Sequence, residues 1–265
     1  MKDDRRNKNS MRLGFIGTGI ITTSVVTGFC ESGMEDLHIV VSPRNKEKAE
    51  ALHAKYPEKV SIAADNQEVI DRSDWVFAAL LPQHAEAVLS ELTFPEEKKF
   101  INLVMTLSTK RAEEIIGKRE IIADVVPLTF AANGFGPVVV YPPIPEVGEL
   151  LSHVGTPVLV ETPQQIAILR STTGLMSAYY MLLTVIIDWC QEKGLDEPSA
   201  RKYITSFTEA MSKKAAAWEG PLENLAREMT PGGINWQALT HLEETDAYKP
   251  WTEILDPILK RVIKE

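Results

Sequence analysis

Three short stretches combine residue types whose spacing can do chemistry. The first is Gly17-Thr18-Gly19, which closes the apolar run Leu13-Gly14-Phe15-Ile16 and opens an apolar-periodic segment. Glycine at 17 permits a tight turn, and glycine at 19 lets the backbone approach a ligand with no Cβ in the way. A buried strand, a glycine turn and a helix start together lay a pyrophosphate on a helix N-terminus. Gly17, Thr18 and Gly19 are therefore candidate dinucleotide-binding residues, although Thr22 stands where a third glycine is usual. The second stretch is Val41-Ser42-Pro43-Arg44-Asn45-Lys46, at the tip of the next strand. A carboxylate there would hold the adenosine ribose of NAD, whereas an arginine accommodates the extra phosphate of NADP. No carboxylate is present, and Ser42, Arg44 and Lys46 can surround a phosphate, Arg44 in a bidentate contact. The third is Glu228-Met229-Thr230-Pro231-Gly232-Gly233-Ile234-Asn235-Trp236. A Pro-Gly-Gly turn feeding a helix exposes free N–H groups, a seat for a carboxylate, with an ordinary helix connection as the plain alternative.

Other reactive types are scattered. The histidines, His38, His53, His84, His153 and His241, form no pair at metal-ligand spacing. No metal site is expected, and His84 matters only because it follows the fourth strand at its carboxyl end. Tyr179 could donate its phenol, but a tyrosine on an apolar helix is more often packing. Cys30 and Cys190 stand far apart, which points to a reducing cytoplasm. Neither a Gly-x-Ser-x-Gly elbow nor a phosphate-loop lysine argues for a hydrolase or an NTPase.

These stretches must be positioned by an α/β framework. β-rich runs at Leu37–Val41, Val60–Ala63, Asp74–Leu80, Phe100–Val104, Ile121–Asp124, Pro137–Tyr141 and Pro157–Val160 alternate with helical patterns. Such alternation predicts βαβ units and a doubly wound Rossmann sheet over residues 11–163. From 164 to 265 only helical patterns remain: Gln164–Lys193, Glu197–Glu219, shorter helices from Leu222 and Ile234, and Tyr248–Ile263, bent at Pro257. That half is expected to be an all-α dimerisation domain, and residues 1–10 a disordered polar tail. The apolar run Gly174–Ile187 is only about fourteen residues, short of a membrane span, and is expected to be a buried core helix. It is hydrophobic almost all round, so a homodimer interface is expected to bury what a small domain cannot. With 265 residues, 44% of them hydrophobic, the chain is ordinarily globular, and its formal charge of -9 argues against nucleic acid or anionic membrane as partner.

In the order and spacing of its motifs the sequence resembles the pyrroline-5-carboxylate reductases. The family's glycine turn, its Ala-Tyr pair on a long apolar helix and its Ser-Pro-Gly-Gly-x-Thr loop correspond to Gly17-Thr18-Gly19, Ala178-Tyr179 and Thr230-Pro231-Gly232-Gly233-Ile234-Asn235. The resemblance implies hydride transfer from NAD(P)H to the C=N of a cyclic imine carboxylate, with the tip at Ser42, Arg44 and Lys46 favouring NADPH. It also implies an active site between the two domains, completed by the helical domain of a partner subunit, in dimers that in many members assemble further into rings. Carried over by position, it assigns catalytic roles to Asn235 and Thr230. Ile20, Ile21, Leu80, Leu81 and Pro82 join the cofactor-binding set. Gly232, Gly233, Ile234, Thr129 and Ser177 become substrate-binding residues.

Departures from the family pattern bear on substrate. Ile20-Ile21 replace Asn-Met, Leu81-Pro82 replaces Lys-Pro, and Val126-Pro127-Leu128-Thr129-Phe130 replaces Met-Pro-Asn-Thr-Pro. Thr173-Gly174-Leu175-Met176-Ser177 stands where the family has Ser-Gly-Ser-Gly-Pro, and the loop threonine is Asn235. An amide donates a hydrogen bond but is no useful proton source, so acid help would need water or another group. Pyrroline-5-carboxylate and a greasier imine or carbonyl both fit, as does a dinucleotide-binding sensor or scaffold that has lost catalysis. A β-hydroxyacid dehydrogenase is set aside, because no lysine stands on the long helix.

Overall fold

The computed structural model describes residues 10–264, the last by its backbone. Packing divides the chain into one unit running through Leu169 and a second from Arg170 to Lys264. The tail expected over 1–10 lies, apart from Ser10, outside the described residues.

In the first unit the elements are β1 (Met11–Ile16), α1 (Ile20–Glu31), β2 (Leu37–Val41), α2 (Lys46–Lys55), β3 (Val60–Ile62), α3 (Asn66–Asp71) and β4 (Trp75–Ala78). They continue as α4 (Pro82–Ser90), β5 (Lys99–Asn102), α5 (Thr109–Ile116), β6 (Ile122–Val126), β7 (Pro137–Tyr141), α6 (Pro145–Leu151) and β8 (Thr156–Leu159). Polar caps set the helix starts: Asn45, Asp65 and Ser108 each accept a backbone N–H three residues on. Pro82 opens α4 as its first residue, where its missing N–H costs nothing.

The eight strands form one sheet in the order β3-β2-β1-β4-β5-β6-β7-β8. Neighbours are parallel except β6 and β7, so the last two strands run opposite to the rest. This departs from uniform βαβ alternation for a simple reason. The link 127–136 carries only a 3-10 turn, Thr129–Asn133, too short for the crossover that parallel pairing needs. The strand order reverses between β1 and β4, where loops leaving the carboxyl edges open a crevice. Side chains alternate between two cores, one on each face. Phe15 and Phe77 stack at 4.6 Å on one, while Val76, Ala78 and Phe100 enter the other with α4 and α5.

α7 (Pro163–Thr172) begins where the strand composition ends, and the packing division falls within it. A 3-10 segment, Thr173–Leu175, follows, so the run from Gln164 to Lys193 is interrupted rather than one regular helix. Then come α8 (Met176–Glu192), α9 (Glu197–Ala216), α10 (Leu222–Arg227), α11 (Ile234–Glu244), α12 (Lys249–Glu253) and α13 (Leu255–Lys264). Asp196 caps α9 by accepting the Ser199 N–H at 3.0 Å. The last helix breaks at Ile254, ahead of Pro257, which sits in the first turn of α13 where a missing N–H is tolerated.

The expectation of a buried core helix is corrected at α8. Ile187 is its one buried residue, and Tyr180, Met181, Val185 and Trp189 are all more than half exposed. Within the chain α8 packs on α9 through Ile187, Ala200 and Ile204, which covers only part of a helix that is apolar nearly all round. By length and composition alone the run Pro163–Glu192 would also cross a membrane.

Candidate functional site

The carboxyl edge of the sheet is built in register: Ile16 pairs with Ala78, Ala78 with Asn102, and Asn102 with Asp124. The glycine turn leaves from this row. Gly17 has φ +96°, and a Cβ there would stand 2.4 Å from the Ala79 carbonyl oxygen. Its N–H donates to Ser42 Oγ at 2.9 Å, and Thr18 Oγ1 donates to the Ser42 carbonyl at 2.8 Å. Thr22 Oγ1 donates to the Gly17 carbonyl at 2.6 Å. Ser42 is fully buried, which corrects its expected role. Its hydroxyl is spent behind the turn, on Gly17 and Thr18, and does not reach out to a phosphate. Thr22 shows why a third glycine is dispensable, since a hydroxyl here fastens the turn. The close approach of backbone occurs instead at Gly28, where a Cβ would stand 2.0 Å from the Ala131 carbonyl oxygen.

α1 starts at Gly19 with no side-chain cap and no acid in its first turn. A Cβ at Gly19 would meet nothing within 4 Å. The positive end of the helix therefore has open space beside it, room for an anion. Ile20 is exposed and Ile21 half-buried. Arg44 and Lys46 are exposed at the tip of β2, Lys46 in a 3.7 Å pair with Glu50 of the kind that contributes little. Across the crevice Leu80 is half-buried, while Leu81 and Pro82 are exposed at the uncapped start of α4. His84 is exposed too, and its backbone N–H donates to the Leu81 carbonyl at 2.9 Å. Thr129 is exposed at the start of its 3-10 turn.

A polar cluster that sequence reasoning passed over lies in the same row. The Asp124 carboxylate accepts Asn102 Nδ2–H at 2.8 Å and the Thr109 N–H at 3.2 Å. Burial pushes the Asp124 carboxyl up to about 6, and the two hydrogen bonds only partly offset it. Both residues sit inside apolar runs, where a strand pattern conceals them; an Asn and an Asp at strand positions were the available signal.

In the second unit, Gly232 has φ +75° and Gly233 opens α11 with no side-chain cap. The Gly233 N–H donates to the Thr230 carbonyl at 3.0 Å and closes the turn. Thr230, Ile234 and Asn235 are exposed, and with Pro231, Gly233 and Arg227 they line an open depression. Arg227 is already answered by Glu243 at 2.8 Å and Glu223 at 3.4 Å. Ser177 is exposed in the first turn of α8. Thus the fold gathers Gly17, Thr18 and Ser42 at one place and Thr230 with Gly232–Asn235 at another. Among the described residues no group of three His, Cys, Asp or Glu side chains could hold a metal ion.

Residues 12–105 match the family model described as NADP oxidoreductase, coenzyme F420-dependent. Over 247 residues the chain is 26% identical to pyrroline-5-carboxylate reductase of Corynebacterium melassecola, spanning 88% of this chain and 90% of that protein. The chain is thus similar to pyrroline-5-carboxylate reductases over nearly its whole length. The fold agrees. A solved pyrroline-5-carboxylate reductase from Coxiella burnetii matches with a TM-score of 0.82 at 20% identity, over 97% of this chain and 98% of that one. A pyrroline carboxylate reductase from Plasmodium falciparum, solved with NADP bound, matches at 0.77 and 18% identity over 96% and 97%. In this chain the glycine turn is held by hydroxyls, with Thr22 in place of a third glycine. The exposed cleft positions Ile20 and Leu81 are apolar.

Proposed function

We infer that this chain is an NADPH-dependent reductase acting on the C=N bond of a cyclic imine carboxylate, pyrroline-5-carboxylate or a close relative. The observation that carries this is the glycine turn at the switch point: an uncapped helix end beside open space, with a basic and acid-free tip on the neighbouring strand. Kinship with reductases over nearly the whole chain supports it. When bound, NADPH supplies the hydride. Gly17, Thr18 and Gly19, with the first N–H groups of α1 at Ile20 and Ile21, hold the pyrophosphate. Arg44 takes the 2′-phosphate with help from Lys46, and Ser42 holds the turn from behind. Leu80, Leu81 and Pro82 give the nicotinamide side an apolar wall.

The N–H groups of Gly232, Gly233 and Ile234 seat the substrate carboxylate on the α11 dipole. Asn235 orients the imine nitrogen by hydrogen bonding, and Thr230 adds a hydroxyl beside it. Thr129 and Ser177 are further substrate contacts. Because an amide does not supply the proton, orientation carries much of the rate, with water as the acid. The bare aromatic face of α8 is covered by a second copy of the chain, so the working form is a homodimer, extendable to a ring. Two thiols too isolated to pair fit a reducing cytoplasm.

The test is NADPH oxidation by the purified protein with pyrroline-5-carboxylate, beside an Asn235→Thr variant. Turnover by the wild type is expected, raised in the variant as a hydroxyl proton source returns. NADPH binding without turnover of any imine or ketone would replace this reading with that of a dinucleotide sensor or scaffold.

A further inference from the structure

One carboxylate holds both ends of the segment 103–108, which leaves the carboxyl edge of β5. Asp124 accepts Asn102 Nδ2–H at its start and the Thr109 N–H at its finish. Asn102, 2% exposed, spends the rest of its amide on the segment itself. Its Oδ1 accepts the Val104 N–H at 3.0 Å, and Nδ2 also donates to the carbonyls of Val104 and Leu107. Val104 and Leu107 are thereby driven into the core shared with Ala78 and Ala85, against which Leu80 packs. Met105 and Thr106 are left exposed at the tip. The register Ile16–Ala78–Asn102–Asp124 sets this staple in the row from which the glycine turn departs.

Asp124 is half-buried, and even partial desolvation of an ionised carboxylate is costly. What it does supply is acceptors only, matched to two donors. We propose that Asp124 is a positioning residue of the dinucleotide cleft: by fixing both ends of segment 103–108 it sets the Met105–Thr106 tip as the wall against the nicotinamide half of the cofactor. This rests on the reading that the cleft takes NADP(H). Protonating Asp124 would turn one of its two acceptor oxygens into a hydroxyl and loosen one end of the segment. The groups that face it are few. β5 brings Asn102, α5 the Thr109 N–H, and β7 the register neighbour Tyr141. Segment 103–108 has no charged residue. On α5, Lys110 is exposed and Arg111 is paired with Glu86 of α4 and with Glu114. The carboxyl therefore titrates on its burial, near 6.

The experiment is titration calorimetry of the full chain with NADP+ and with 2′-phospho-ADP-ribose, which keeps the 2′-phosphate and the pyrophosphate diester and lacks only the nicotinamide. Taking the ratio of their affinities from about pH 5 to about pH 7.5 cancels the titration of the shared phosphate. The wild-type ratio should fall about tenfold as pH drops through 6, the worth of one charged hydrogen bond. Asp124→Asn, whose amide can accept only one of the two donors, should show the low ratio throughout and no inflection, with circular dichroism confirming its fold. A flat wild-type ratio while both ligands bind would overturn the positioning role alone and needs no variant. An inflection retained in Asp124→Asn would also overturn it. Failure of the wild type to bind either ligand would overturn the cofactor reading and this role with it.

Discussion

Two turns in this molecule use the same backbone device in opposite surroundings. Gly17 and Gly232 both take positive φ, and each turn feeds a helix that no side chain caps. Around the first, Thr18, Thr22 and Ser42 are buried and hydrogen-bonded to the turn, and the Ala79 carbonyl just past β4 stands against Gly17. Around the second, a single backbone bond from Gly233 to Thr230 closes a loop whose neighbours are exposed, and a Cβ at Gly232 would meet nothing within 4 Å. The first is preorganised by the core. The second is held by its own backbone alone. Such a division suits a reductase that holds one ligand in a fixed seat and completes the other seat around its substrate.

Breaking the rigid turn should have the largest effect. In Gly17→Ala the new Cβ meets a backbone oxygen at 2.4 Å in a conformation L-residues avoid. Overpacking and φ strain together should cost about 3 kcal/mol or more and abolish NADPH binding. Thermal unfolding with a binding titration checks both. A variant that melts and binds like the wild type would dissolve the contrast between the turns.

Removing the hydroxyl behind that turn is the next step down. Ser42→Ala leaves the Gly17 N–H without its acceptor in a half-buried place, a loss of about 1 kcal/mol. Affinity for NADP+ should fall in step with stability, because the hydroxyl acts through the turn. Chemical denaturation and calorimetry separate the cases. A large affinity loss with no loss of stability would return Ser42 to the phosphate.

What sequence could and could not reveal follows the same division. The strand–turn–helix at 11–31 was legible because it is a local signal that the surrounding core agrees with. The reversed β7–β8 pair was not, since direction depends on the length of the 127–136 link rather than on residue type. Ser42 was placed at the right tip, but its side-chain direction is set by the twist of β2 against β1, which no pattern states. The same holds for Asn102 and Asp124, polar residues whose partners lie across a strand pair. The exposure of α8 reversed an expectation because an apolar helix looks alike in a core and on a bare face.

The smallest effect on stability should come from the loose turn, and it sharpens the comparison most. Gly232→Ala adds a methyl group to open space, so only the strain of φ +75° remains, about 1 kcal/mol. In an exposed loop much of that strain is relieved by local rearrangement, so the melting temperature should hardly move. The same rearrangement turns the N–H groups of Gly233 and Ile234 away from a common point. KM for the imine carboxylate should therefore rise about tenfold, the worth of roughly one charge-assisted hydrogen bond, while NADP+ affinity stays unchanged. Steady-state kinetics beside a melting curve reads all three. An unmoved KM would mean that the carboxylate sits elsewhere, and a melting loss as large as that of Gly17→Ala would mean that this turn, too, is held by its surroundings.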